Sequence, residues 1–259
     1  MGMIDTHCHL YLEDFDADRE EVIRAAQAAG IERILLPNID LSSIDRMHAL
    51  CDSYPGFAHP MMGLHPTNVD EGYPAILRKM ESLLQERTYC AIGEIGIDLY
   101  WDKTRLKEQK AAFEEQLQWS IDLDLPVAIH TRDAFAEVFD SIHKVGKDKL
   151  KGVFHSFSGK EAHLKEIQRL GNFKLGIGGV VTYKNAKLPE TLAHARMEDI
   201  VLETDAPFLP PVPYRGKRNE PLYIRETAAK IASIYNLPLE ETVEITRRNT
   251  YELFKKICS

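Results

Sequence analysis

The feature that most constrains the fold of this chain is an alternation, repeated eight times, of short apolar runs with longer amphipathic stretches. The runs are nearly continuous in hydrophobicity, as in Ile34-Leu35-Leu36, Val127-Ala128-Ile129 and Ile200-Val201-Leu202. A strand of that kind is buried on both faces, which a parallel sheet covered by helices provides. The pattern predicts strands over 3–10, 31–38, 58–63, 90–93, 127–130, 152–155, 173–177 and 200–203. Helices are expected over 16–29, 42–53, 74–86, 104–123, 133–145, 160–170, 189–195, 223–235 and 239–256. Eight such units in 259 residues make a closed (β/α)8 TIM barrel, an α/β fold in a single domain over 1–259. A doubly wound open sheet is the alternative, but its Gly-x-Gly-x-x-Gly turn after the first strand is absent. The prolines and glycines do not gather into a linker, and no repeat of fixed period is present.

Composition narrows the function. A net charge of −8 argues against a general basic face that coats long nucleic acid, while leaving room for a local basic patch. Cys8, Cys51, Cys90 and Cys258 form no Cys-x-x-Cys pair and read as reduced thiols of a cytoplasmic protein. No apolar stretch approaches a membrane span, and a signal-peptide layout is missing, so a soluble, intracellular chain compatible with a monomer is expected. Met1-Gly2 before Met3 reads as a cloning remnant; the match of Gly2 and Thr6 to an N-myristoylation pattern is set aside because Thr6 falls inside the first strand.

Against the apolar background, the unusual polar residues stand at strand ends. In Ile4-Asp5-Thr6-His7-Cys8-His9, period-two alternation sends Asp5, His7 and His9 to one side, so both rings can serve one metal ion. His65 follows strand three, Glu94 strand four, His130 strand five, His155 strand six and Asp205 strand eight. All fall on the C-terminal rim, where barrel enzymes assemble their sites from several strands. Singly, His130 or His155 reads as a hydrogen-bonded histidine, and Glu94 or Asp205 as a helix cap. Jointly, the imidazoles of His7, His9, His130 and His155 and the carboxylates of Glu94 and Asp205 would leave buried charge unpaired unless a cation were present. That set suits two divalent ions with Glu94 as the bridge. His65, beside Pro66 on the same rim, is a candidate substrate contact, with a structural role the alternative. His48, His59, His143, His163 and His194 read as surface or packing residues.

Residues 208–221, with prolines at 210, 211, 213 and 221, are expected to form a loop over the mouth. Arg215, Lys217 and Arg218 beside Tyr214 would make it an electropositive lid for a phosphate-bearing substrate. Gly176-Ile177-Gly178-Gly179 offers close backbone approach after strand seven. Arg132, two positions past His130, is a further candidate phosphate clamp, and Tyr100 or Trp101 could stack a terminal base or simply pack the loop.

Taken together, Asp5-Thr6-His7-Cys8-His9, Gly63-Leu64-His65-Pro66, Ile92-Gly93-Glu94-Ile95-Gly96-Ile97-Asp98, His130-Thr131-Arg132, His155-Ser156-Phe157-Ser158-Gly159, Gly176-Ile177-Gly178-Gly179 and Glu203-Thr204-Asp205-Ala206-Pro207, with Arg215-Gly216 and Asn219-Glu220-Pro221, resemble the TatD-type deoxyribonucleases of the metal-dependent hydrolase superfamily. The resemblance runs from end to end and shows no departure at His7, His9, Glu94, His130, His155 and Asp205, which it implies to be metal ligands. It implies hydrolysis of DNA phosphodiesters with Mg²⁺ or Mn²⁺, and points to the 3′ end of single strands. The same donors would hold Zn²⁺, which stands higher in the affinity order. On this reading Asp205 accepts the proton of a water acidified between two ions that Glu94 bridges, and Arg132, Arg215 and Arg218 clamp phosphate oxygens. An amidohydrolase cleaving a C–N bond is the nearest competitor, but Glu94 stands where a bridging lysine would favour it. Two more functions compete on the same barrel: hydrolysis of a phosphate monoester, and metal binding by a scaffold without catalysis.

Overall fold

In the computed structural model, which describes residues 2–257, the strands lie parallel and in sequential order in one sheet. They are β1 (Met3–Asp5), β2 (Ile31–Pro37), β3 (Ala58–Met62), β4 (Ala91–Asp98), β5 (Val127–Arg132), β6 (Gly152–Phe154), β7 (Phe173–Ile177) and β8 (Ile200–Leu202). Met1 and Cys258 lie outside the described residues. The sheet closes where β8 meets β1: Thr6 N–H donates to Leu202 C=O at 3.0 Å, Asp205 N–H to His7 C=O at 2.8 Å, and His9 N–H to Ala206 C=O at 2.8 Å. The helices between strands are α1 (Arg19–Ala28), α2 (Ile44–Ser53), α3 (Tyr73–Leu84), α4 (Leu106–Asp122), α5 (Phe135–Val145), α6 (Glu161–Leu170) and α7 (Leu188–Leu192), with α8 (Ile224–Tyr235) and α9 (Leu239–Leu253) after β8. The expected (β/α)8 barrel is the observed one. Among the described residues no helix is long and apolar enough to cross a membrane, and Cys8, Cys51 and Cys90 are buried free thiols.

Strand alternation divides the core in two. Ile4, Leu35, Met61, Ala91, Ala128, Val153 and Val201 cluster inside the barrel with Leu253, Phe254 and Ile257, so the end of α9 and the turn beyond it pack against the barrel interior. Their strand neighbours Ile34, Leu36, Met62, Ile92, Ile129, Phe154 and Leu202 belong to the larger cluster shared with the helices. In α1, Val22, Ile23 and Ala26 are the buried face, the spacing that a helix of period 3.6 turns to one side.

Of the boundaries that differ from the sequence expectation, three have a local reason that bears on the site. β1 ends at Asp5, and beyond it Cys8 makes an isolated bridge to Ala206. Asp5 does not share a face with His7 and His9 toward a metal. It is buried and accepts hydrogen bonds from Thr204 N (2.9 Å) and Thr204 Oγ1 (2.6 Å), tying the start of the barrel to the segment after β8. Burial drives its carboxyl up to about 8, against those hydrogen bonds. The first helix starts at Arg19, after a separate 3-10 turn at Glu13–Phe15. β4 runs on to Asp98, so Glu94 lies within the strand and not at its end. The pairing with β5 skips between Ile92 and Ile95 and then resumes. Gly96 makes this possible: at φ +153° a Cβ there would stand 1.9 Å from His130 O.

Candidate metal centre

Glu94 sits at the centre of the mouth with its two carboxylate oxygens turned to different imidazoles. Oε2 lies 3.1 Å from His7 Nε2 and 3.6 Å from His9 Nε2. Oε1 lies 3.0 Å from His130 Nδ1, 3.4 Å from His65 Nε2 and 3.6 Å from His155 Nε2. Asp205 Oδ1 closes the first side, 3.5 Å from His9 Nε2 and 3.9 Å from both His7 Nε2 and His155 Nε2. All six ligands expected from the sequence therefore converge. His65, expected as a substrate contact, joins them: its ring shares a potential ligand group with Glu94 and His130.

The donor set fits a cation. His9 Nδ1 donates to Tyr11 Oη at 2.9 Å, and the Tyr11 hydroxyl donates in turn to Pro37 C=O, so the lone pair of His9 is on Nε2. That atom faces His7 Nε2 at 3.2 Å, both rings being fully buried. Ring nitrogens facing each other at that distance in a dry site repel unless a proton or a cation lies between them. Burial and the neighbouring His155 push His7 down, and burial does the same to His65, which favours the neutral, ligating form of each. Burial would also lower His130 and His155, but carboxylates outweigh it: Asp98 and Glu94 raise His130, and Glu203, Glu94 and Asp205 take His155 to about 10. Burial would raise Glu94 and Asp205, yet the surrounding imidazoles hold both below the ordinary carboxylate range. Asp205 takes φ +58°, a left-handed conformation that non-glycine residues keep only where their surroundings impose it.

The residues behind the ligands are the part that sequence reasoning missed. His130 Nε2 donates to Asp98 Oδ2 at 2.9 Å. His155 Nδ1 lies 3.0 Å from Glu203 Oε1, an ion-pair contact without hydrogen-bond alignment, and the same oxygen accepts Ser156 N–H at 2.6 Å. Asn38, fully buried, accepts Glu94 N–H on its backbone carbonyl at 3.1 Å and donates its side-chain amide to Gly63 C=O at 2.9 Å. From α4, Gln116 accepts Leu64 N–H at 2.7 Å beside His65, and Gln109 accepts Asp98 N–H at 2.8 Å. A signal exists for some of these. Glu94, Gly96 and Asp98 share one face of β4 by period two, and the glutamines, with Ser120, interrupt the apolar buried face of α4.

The substrate candidates divide. Arg132 lies over the Tyr100 ring at 3.7 Å and near Trp101 at 5.5 Å, and the two rings are 53% and 70% exposed. Arg215 is exposed and lies over Tyr183 at 3.9 Å, and Lys217 is exposed. Arg218 must be corrected: its guanidinium is held by Asp18 (2.8 and 2.7 Å), Glu220 (3.1 Å) and Asp14 C=O (2.6 Å), above the Phe15 ring, and is not a free cation facing the mouth. The loop it belongs to is tied at its stem by the buried Asn219, whose amide donates to Thr204 C=O and Phe208 C=O, each at 2.7 Å.

A parallel (β/α)8 barrel with imidazoles and carboxylates converging at its mouth defines the class of metal-dependent barrel hydrolases. Residues 4–255 match the family model described as TatD related DNase. The chain is 37% identical over 254 residues to the uncharacterized metal-dependent hydrolase YabD of Bacillus subtilis strain 168, covering 98% of this chain and 99% of that protein. It is 31% identical over 255 residues to the uncharacterized metal-dependent hydrolase YjjV of Escherichia coli strain K12, covering 97% of each. The crystal structure of YjjV, a TatD homolog from Escherichia coli K12, superposes with a TM-score of 0.91 at 30% identity, covering 98% of both chains. The chain belongs to the TatD family and is a metal-dependent hydrolase.

Proposed function

We propose that this protein is a deoxyribonuclease that trims single-stranded DNA from its 3′ end with two divalent ions, Mg²⁺ or Mn²⁺ in function, with Zn²⁺ able to occupy the same donors. The observation that carries the reading is the division of Glu94, Oε2 toward His7 and His9, Oε1 toward His130, His65 and His155. A carboxylate shared between two imidazole groups suits a paired centre of the kind that phosphodiester hydrolysis uses. Ions held there would neutralise phosphate charge and acidify an attacking water.

The remaining work falls to the chain. Asp205 is the proton acceptor: its carboxylate reaches into the centre beside His9, and the imidazoles keep it ionised at neutral pH. Arg132, Arg215 and Lys217 are the cations available to phosphate oxygens, and Tyr100 and Trp101 offer an exposed face to an unpaired base. With Arg218 neutralised, few phosphates can be contacted, so affinity should fall gently with salt, roughly 0.7 in log–log slope for each phosphate contacted on a single strand.

The test is to incubate the metal-reconstituted protein with end-labelled single- and double-stranded DNA, RNA and p-nitrophenyl phosphates and to follow the product ladder. A ladder shortening from the 3′ end of single strands, abolished by chelation and restored by Mg²⁺ or Mn²⁺, is expected. Efficient cutting of closed circular single strands would overturn the end-directed mode. Turnover of monoesters alone would replace the reading by a phosphomonoesterase.

A further inference from the structure

Asp98 ends β4 with its two oxygens facing different parts of the mouth. Oδ2 accepts His130 Nε2–H at 2.9 Å, while Oδ1 accepts the backbone N–H of Tyr100 at 2.9 Å and of Trp101 at 3.3 Å. The side chain is 2% exposed. Its backbone cannot drift, because Gln109 of α4 grips it on both sides, accepting Asp98 N–H at 2.8 Å and donating to Asp98 C=O at 3.1 Å. A second tie lies on β5: Leu99 N–H donates to Arg132 C=O at 2.9 Å, and the Arg132 guanidinium covers the Tyr100 ring.

A carboxylate is planar, so its two oxygens turn together. Whatever fixes the direction of Oδ2 at His130 also fixes the direction of Oδ1 at the loop. His130 turns its other nitrogen, Nδ1, to Glu94 Oε1 at 3.0 Å, so an ion held by that pair would orient the ring, and through it Asp98. We propose that Asp98 is a positioning residue that couples metal occupancy at His130 to the conformation of the Tyr100–Trp101 loop. Metal binding orders the aromatic face on which substrate is received. By linkage, a ligand that settles on that face tightens metal binding by the same factor. Only this reciprocal half rests on DNA being the substrate.

The test uses the loop's own fluorophore. The chain has two tryptophans; Trp119 is buried on α4, and Trp101 is exposed in the loop. In a Trp119→Phe background, metal-depleted protein is titrated with Zn²⁺, and binding is followed in parallel by calorimetry. The expected result is a change in Trp101 emission that saturates at the calorimetric stoichiometry. Asp98→Asn should still bind metal, about 10- to 100-fold more weakly, as expected when the group orienting a histidine ligand is altered. Its emission change should fall at least about fivefold, because an amide can accept a hydrogen bond at only one of the two ends. No emission change in the wild-type loop through saturation, or a full change in Asp98→Asn, would overturn the proposal; the first outcome requires no variant at Asp98. A loss of stability alone would lower the melting temperature of Asp98→Asn without uncoupling emission from metal binding. In a second arm, Zn²⁺ affinity is measured with and without a hydrolysis-resistant single-stranded phosphorothioate. Binding about threefold tighter in the wild type and unchanged in Asp98→Asn is expected. An oligonucleotide that binds without tightening Zn²⁺ in the wild type would overturn the reciprocal half. Failure of the oligonucleotide to bind at all would count against DNA as substrate, while the metal arm still decides the coupling.

Discussion

Glu94 and Asp205 are both carboxylates drawn below their ordinary range by imidazoles, yet they should fail differently when the charge is removed. Glu94 faces two imidazole groups with two oxygens, and a glutamine offers only one acceptor oxygen. Glu94→Gln should therefore lose metal, read by elemental analysis after gel filtration, and turnover with it. Asp205 meets the imidazoles of His7, His9 and His155 through Oδ1, an oxygen that asparagine keeps, so Asp205→Asn should keep the fold and at least one ion while turnover falls by about 10²- to 10⁴-fold, the usual contribution of a positioned base. Near-normal turnover in Asp205→Asn would show that the proton goes elsewhere. The ligands are legible in the sequence only jointly: each alone has a plainer reading, but imidazoles and carboxylates repeated at strand ends fall together on one rim. Glu203 is not legible, since it lies two positions from a ligand and reads as ordinary strand-end polarity, and Asp98 shows only through its period-two spacing from Glu94. Asp5 misleads for a different reason: alternation places it with His7 and His9 only if β1 continues, and the strand stops at Asp5.

At the scale of elements, α4 acts on the site through its buried side. Gln116 accepts Leu64 N–H and also donates to Ala112 C=O, holding the backbone just before His65 where β3 has already ended. Gln116→Leu keeps the volume but strands the buried Leu64 N–H, which should cost about 1–3 kcal/mol in denaturant unfolding. A loss near zero in Gln116→Leu would mean that the Leu64 contact carries no weight. The loop after β8 gives a second contrast. Arg215→Glu should raise KM roughly tenfold with metal content intact, since it reverses a charge available to phosphate. Arg218→Glu should act on stability instead, because it places a third carboxylate against Asp18 and Glu220. If the two variants shifted KM alike, Arg218 would be reaching substrate in solution. Charge runs of this kind mislead because a sequence shows the cations of a loop and not the distant acids, here Asp18, that neutralise them. Element order, by contrast, is legible throughout, and boundaries slip where β1 stops short at Asp5, where a 3-10 turn precedes α1, and where a bulge and a glycine such as Gly96 let β4 run past its apolar stretch.

For the whole molecule, the site sets a dependence of stability on pH. His155 rises from 6.5 to about 10 because Glu203, Glu94 and Asp205 outweigh its burial. A group raised in the folded state contributes stability that is complete below pH 6.5 and is lost as pH climbs through 10, the folded protein holding the proton longer than the unfolded chain. Metal-depleted protein should therefore melt at progressively lower temperature from about pH 7 to about pH 9.5. Metal-loaded protein should lose less over that window, because a ligating imidazole is neutral already. Parallel decline of the two melting curves would argue that His155 does not ligate.

The β8–α8 loop begins and ends within reach of one side chain, Asn219, which holds Thr204 and Phe208 by their carbonyls. A loop fastened at its stem transmits little of its own length or composition to what lies beneath, and lengthening it adds only a slowly growing closure entropy. Residues 209–217 are fastened separately, Tyr183 Oη donating to Pro210 C=O at 3.1 Å and Val212 N–H to Thr182 Oγ1 at 2.8 Å, so an exchange that keeps these two contacts is expected to leave Thr204 and Asp205 in place. A scaffold arranged in this way is open to diversification of what it grips, by insertion or recombination at the rim, without revising the residue that closes the centre below.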